Sequence, residues 1–127
     1  MASWDDIRAI TATLPGTVES SPRQWRARDK NLAWERPLRK ADLEFLGAAA
    51  PGGDILGVRV ADVGVAEALV ADDPAVYFRT PHFDGYPAVL VQLEVIEPDE
   101  LRDLLRDAWL ARVPKRMSEA YLKEHPA

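Results

Sequence analysis

The chain has 127 residues, a length typical of one domain, and we expect a single domain over residues 1–127. Hydrophobic residues make up 47% and charged residues 29%, which excludes an intrinsically disordered chain. Acidic residues outnumber Lys and Arg by 21 to 16, and the net charge of −5 excludes attraction of the whole surface to DNA. The absence of cysteine excludes disulfides, iron–sulfur ligation, Cys-based zinc sites and a cysteine nucleophile.

The N-terminal residues and the hydropathy predict a cytoplasmic protein. Residues 1–6, Met-Ala-Ser-Trp-Asp-Asp, lack the positive and apolar regions of a secretory signal. No stretch approaches the roughly 20 apolar residues of a membrane span. We therefore expect no membrane contact and a monomer or weak dimer.

A helix is the first predicted element. After Ser3, apolar side chains recur every three or four residues on one face: Trp4, Ile7, Ile10 and Leu14. The helix must end by residues 15–16, because Pro-Gly cannot extend it.

Alternating side chains over residues 24–36 predict a β-hairpin with its turn at 29–31. One face carries the apolar set, Trp25, Ala27, Leu32 and Trp34. The other face carries Arg26 and Arg28. Residues 38–46 are ambiguous and allow a short helical turn, and residues 47–53 predict a mobile loop of small residues.

Two further strands and a helix are predicted between residues 55 and 79. Residues 55–61 predict a strand with Arg59 opposite its apolar face, and residues 65–71 a short helix. In the next strand Val76 and Phe78 alternate with Tyr77 and Arg79.

The C-terminal part predicts a turn over residues 80–87, a strand over 89–95 with its polar face solvated, and a helix over 98–109. Pro114 ends that helix, and residues 115–123 allow another. Short turns cannot join parallel neighbours, so the element order predicts an α+β fold. We expect a two-layer sandwich, with an antiparallel sheet and helices on one face.

Known catalytic templates do not occur in this sequence. Neither a P-loop nor a Gly-x-Gly-x-x-Gly motif is present, and the two histidines, His82 and His125, are too few for a zinc hydrolase. We therefore expect no catalytic residues, no metal and no cofactor. An enzyme with a dispersed site stays open as an interpretation, and it requires a buried pocket that holds His82 beside a carboxylate.

The charge is segregated along the chain. Residues 23–40 carry a local charge of +5, whereas residues 94–107 carry −4. The alternation aims four arginines away from the predicted helices: Arg26, Arg28, Arg59 and Arg79. Lys30 lies at the tip of the hairpin, where it could also reach a phosphate. Guanidinium groups bind phosphate through forked donors, so this face predicts weak binding of DNA phosphates. The alternative is that the arginine stems cover an exposed sheet face and pair with carboxylates.

A second functional interpretation concerns the turn over residues 80–87. It is rich in aromatic residues, and His82, Phe83 and Tyr86 would present side chains to another protein or to a small ligand. This interpretation predicts a binding module rather than a DNA-binding protein.

The succession of motifs resembles the MmcQ/YjbR family over residues 4–115. It comprises a first helix ending in Pro-Gly at 15–16, the Trp25 hairpin with its basic residues, a Phe-Arg-Thr-Pro-His-Phe turn over 78–83, and the helix over 99–109. The resemblance implies a compact two-layer fold similar to that of frataxin-type, CyaY-like domains. It also implies a DNA-binding role, proposed for the family from fold similarity.

Overall fold

The computed structural model describes residues 1–126. Its helices are α1 (Trp4–Thr11), α2 (Lys40–Leu46), α3 (Val63–Asp72), α4 (Pro98–Arg112) and α5 (Lys115–Glu124). Its strands are β1 (Thr17–Ser21), β2 (Gln24–Ala27), β3 (Lys30–Glu35), β4 (Ile55–Arg59), β5 (Tyr77–Phe78) and β6 (Ala88–Gln92). Short 3-10 turns lie at Gly47–Ala49 and Pro81–Phe83. None of the helices described is both long and apolar enough to cross a membrane.

The six strands form one sheet in the order β1-β2-β3-β4-β6-β5, and every neighbouring pair is antiparallel. This arrangement confirms the predicted α+β class with an antiparallel sheet. Strand β1 was not expected, because its five residues form a mostly exposed and polar edge strand without an alternating apolar pattern.

The main core lies between one face of the sheet and helices α1 and α4. A capping box between Ser3 and Asp6 begins α1, and a proline in the first turn begins α4. Trp109 of α4 is fully buried, and its indole N–H donates to the carbonyl oxygen of Pro15 at 3.0 Å. This bond ties α4 to the chain segment that follows α1.

A second, smaller cluster covers part of the opposite face. It consists of Ile55, Phe83, Ala88 and Leu90, with Trp34, Leu38 and Phe78 packed against it. Gly57 is needed there, because a Cβ at this position would lie 2.5 Å from the Trp34 ring. The prediction of a solvated second face on the strand at 89–95 is therefore wrong at Leu90.

Register explains the remaining differences. Trp25 pairs with Ala33 but Arg26 pairs with Asn31, so Leu32 is an extra residue in β3 and Trp34 moves to the second face. In β5 the expected faces are reversed, because Tyr77 enters the main core and Phe78 the second cluster.

Element boundaries also differ from those expected. The ambiguous residues 38–46 contain helix α2, and the helix expected at 65–71 spans Val63–Asp72. Strand β6 ends at Gln92, so Val95 lies beyond it and is exposed.

Candidate nucleic-acid interface

Three of the five predicted phosphate-binding residues lie at one end of the sheet. Arg28 and Lys30 flank the β2–β3 turn, and Arg59 ends β4. Arg112, the last residue of α4, joins them and was not predicted. We call these four residues the cationic end.

The β2–β3 turn holds Arg28 in an unusual backbone conformation. Its φ is 59°, a left-handed value that a non-glycine residue adopts only where its surroundings enforce it. The Arg28 amide donates to the carbonyl oxygen of Gly16 at 2.8 Å, and its guanidinium contacts the sulfur of Met117 at 3.6 Å. Lys30 and Arg112 line the same surface depression as Arg28. The fold therefore brings these three cations together from two separate segments, the β2–β3 hairpin and the end of α4.

Arg59 and Arg112 are half-buried neighbours of like charge. Burial lowers the pKa of Arg112, and the nearby charge of Arg59 lowers it further, whereas Tyr86 has the opposite effect. The Arg112 Nε donates to the backbone oxygen of Asn31 at 3.3 Å. The Arg59 guanidinium lies 5.3 Å from the centre of the Tyr86 ring, a cation–π contact. Both guanidinium groups are positioned by neutral partners.

In the part of the chain described, the four residues of the cationic end lack carboxylate partners, whereas several other arginines of the molecule have them. Within residues 1–126, no carboxylate lies within ion-pair distance of Arg28, Lys30, Arg59 or Arg112. Asp29 is the one acidic residue that lines the depression. An external anion would therefore supply the missing negative charge.

The other two predicted residues have different surroundings. Arg26 donates to the carbonyl oxygen of Asp29 at 3.1 Å within the hairpin. Arg79 donates to the carbonyl oxygens of Phe83, Tyr86 and Ala88, and so holds the loop over residues 80–87 against the sheet. The prediction that Arg79 offers a free guanidinium on an outer face is therefore wrong, because its guanidinium donates to carbonyl oxygens of the loop and the adjoining strand.

The 80–87 loop does not present Phe83 to solvent. Phe83 is 5% exposed and belongs to the second cluster, so the prediction that it faces a partner is wrong. Tyr86 is exposed beside Arg59. His82 is exposed too and packs edge-on against Phe83 at 4.9 Å, which does not fit the buried His82 pocket that the enzyme interpretation requires.

A fully paired arginine, Arg36, packs against Phe83 of this loop. The Arg36 Nη2 contacts the Asp42 carboxylate at 2.9 Å, and the two side chains are only 5% and 4% exposed. Burial alone would raise the pKa of Asp42, but the Arg39 backbone N–H and the Arg36 guanidinium outweigh it, and the pKa falls below its usual value. This pair holds α2 in place.

Comparison with known proteins agrees with the motif pattern. The profile of the YjbR family matches residues 12–111. The chain belongs to the YjbR family. Its relatives include uncharacterized proteins of Mycobacterium bovis and Mycobacterium tuberculosis, each 56% identical over 125 residues, which cover 96% of this chain and 97% of the relative.

A solved structure shows the same fold in another YjbR-type protein. Protein DR2400 of Deinococcus radiodurans, described as a DUF419 domain, superposes with a TM-score of 0.63 at 21% identity. The match covers 98% of this YjbR-family chain and 88% of that protein. At this identity the likeness concerns the fold alone.

Proposed function

We propose that this YjbR-family protein binds DNA weakly and without sequence preference, through contacts of the cationic end with backbone phosphates. The observation that supports it most is the half-buried pair Arg59 and Arg112, which has no carboxylate partner in the part of the chain described. Holding two like charges together costs free energy, and phosphate oxygens would offset that cost. Arg28 and Lys30 extend the contact.

Charge elsewhere limits the strength and the selectivity of this binding. The helical segment 98–109 has a net charge of −2, so it is unsuited to enter a major groove as a recognition helix. The net charge of −5 opposes binding outside the cationic end. We propose a sequence-independent contact, made without catalysis and in the cytoplasm.

Salt-dependent binding to a fluorescent DNA duplex tests the proposal. Each phosphate contact adds about 0.9 to the slope of log affinity against log salt concentration. The double variant Arg59→Ala with Arg112→Ala should therefore lower the slope by about 2. Absence of binding at low salt, or an unchanged slope in this variant, would refute the proposal.

A matched control comes from α4 itself. Arg102 and Arg106 are exposed to a similar or greater degree, and carboxylates of the same helix lie within 4 Å of both. The double variant Arg102→Ala with Arg106→Ala removes the same total charge from the protein. It should leave the slope close to the wild-type value, which separates a local contact from an effect of net charge.

A further inference from the structure

A groove lies between α3 and α4, and its lining contains none of the four residues of the cationic end. Its cavity has a volume of about 350 Å³, within the range of small-molecule pockets. Six apolar side chains form its walls: Val60, Ala61, Val65, Leu69, Leu104 and Ala108. Tyr77, Glu100, Asp103 and Asp107 complete the lining, and we call the whole the acidic groove.

Helix α3 offers more apolar surface than the core uses. Its sequence, Val-Gly-Val-Ala-Glu-Ala-Leu-Val-Ala-Asp, is strongly apolar, yet Ala66 is its one fully buried residue. Val65 is 40% exposed and Leu69 is half-buried, and both line the acidic groove. Exposed apolar walls of this kind gain free energy when another apolar group covers them.

Charge in the acidic groove has a single sign. Its lining includes three carboxylates and no Lys or Arg. Two of them, Asp103 and Asp107, contact Arg102 and Arg106 outside the lining, which leaves Glu100 as the carboxylate for a ligand. The Tyr77 hydroxyl, on a nearly fully buried residue, donates to the Glu100 carboxylate at 2.9 Å. Burial raises the pKa of Tyr77, and the charges of Glu100, Asp73 and Asp72 raise it further. Glu100 has no Lys or Arg within 4 Å in residues 1–126.

We propose that the acidic groove binds a small organic cation, an ammonium compound with a short apolar body. The apolar body would lie between Val65 and Leu104, and the ammonium group would donate to Glu100, with the oxygen of Tyr77 as a second acceptor. A bare metal ion fits less well. Among the residues described, no three His, Asp or Glu side chains lie close enough together to bind one ion. The site is independent of the proposed DNA binding.

Titration of the ¹⁵N-labelled, 127-residue protein with 2-phenylethylammonium tests this site by NMR. Saturable shifts are expected for amides around Val65, Leu69 and Glu100. The neutral analogue 2-phenylethanol should bind about tenfold more weakly, because it lacks the charge-assisted hydrogen bond. Equal binding of the alcohol, or no saturable shift at millimolar ammonium, would overturn the proposal.

Paired variants locate the binding. Glu100→Gln should weaken ammonium binding about tenfold, whereas Asp99→Asn on the same helix should not change it. Val65→Trp should fill the groove and abolish binding, with Val18→Trp on the exposed edge strand as its control. If Glu100→Gln binds as wild type does, the ammonium site is refuted. If the groove amides instead shift with protein concentration alone, a second copy covers the groove and the proposal fails.

Discussion

Arg36 is buried and Arg112 is half-buried, but the partners of their guanidinium groups differ. Arg36 lies against the Asp42 carboxylate at 2.9 Å, whereas Arg112 has a backbone oxygen as its partner and Arg59 as its charged neighbour. In a buried ion pair the two charges neutralise each other, so the arginine is not available to bind an anionic ligand. An arginine without a carboxylate partner remains able to bind an external anion. The presence or absence of a carboxylate partner therefore distinguishes Arg36, which holds the fold, from Arg112, which we propose to bind phosphate.

The acidic groove shows the same principle with the sign reversed. Glu100 accepts a hydrogen bond from Tyr77 and has no Lys or Arg within 4 Å in residues 1–126, just as Arg59 and Arg112 have no carboxylate within that distance. Helix α4 carries both sites: at about 1.5 Å per residue, Glu100 and Arg112 lie roughly 18 Å apart along it. One helix therefore carries both a carboxylate, Glu100, and an arginine, Arg112, without an oppositely charged side chain within 4 Å among the residues described.

The largest expected effect comes from breaking the structural pair. Asp42→Asn should reduce the free energy of unfolding by about 3 kcal/mol, because it leaves the buried Arg36 charge without an anion. Urea denaturation at pH 7 measures this loss. Asp99→Asn, which breaks an exposed contact with Arg102 at 3.5 Å, should cost less than about 1 kcal/mol.

The Arg36–Asp42 pair should also make the free energy of unfolding depend on pH in the acid range. The folded-state pKa of Asp42 is lowered from the usual 3.8, so its stabilising contribution is present above that pH and is lost as the pH falls. The difference between wild type and Asp42→Asn should therefore shrink in strong acid. A difference that does not depend on pH would show that packing, rather than charge, accounts for the loss.

A smaller effect tests the unpaired arginines. Pyrophosphate at ten times its Kd should stabilise the wild-type protein by about 1.4 kcal/mol, because it binds the folded state alone. Thermal unfolding monitored by circular dichroism measures the shift, which Arg59→Ala with Arg112→Ala should abolish. The Arg102→Ala, Arg106→Ala control should retain it. Equal shifts in all three proteins would indicate a general salt effect instead.

Sequence reasoning predicted the elements that carry a strong period and missed what depends on register or tertiary contact. The apolar stripe of α4 and the alternation around Trp25 both predicted their elements correctly. The extra residue Leu32 and the reversed faces of β5 carry no local signal, since Tyr77 and Phe78 are equally suited to a core.

The candidate site was predicted only in part for the same reason. Strand parity indicated Arg28 and Arg59, and the hairpin tip indicated Lys30, yet it is the packing of α4 that brings Arg112 beside Arg59. Arg112 lies just beyond the acidic stretch 94–107, where local charge favours a solvated helix face. Phe83 was expected outside because a Pro-rich turn is normally exposed, and the hydrogen bonds from Arg79 fold that turn back onto the sheet.

In the acidic groove, the ionisation of Tyr77 should make the free energy of unfolding depend on pH in the alkaline range. In the folded protein the pKa of Tyr77 is raised, whereas in the unfolded chain it returns to its usual value of 10.0. The unfolded state therefore releases this proton first, and folding stability falls as the pH rises above 10. At pH 11 the loss should be about 1 kcal/mol relative to Tyr77→Phe, which cannot ionise. Urea denaturation of both proteins at pH 8 and 11 measures it, and parallel losses would contradict it.

The smallest expected effect decides whether Arg112 is structural. Arg112→Gln should change the free energy of unfolding by no more than about 0.5 kcal/mol, because the lost hydrogen bond to Asn31 is offset by relief of repulsion from Arg59. Added NaCl should stabilise the wild type slightly more than the variant, since salt screens the repulsion that the variant lacks. A loss comparable with that of Asp42→Asn would place Arg112 with Arg36 among the residues that hold the fold, and it would remove the free energy argument for an external phosphate.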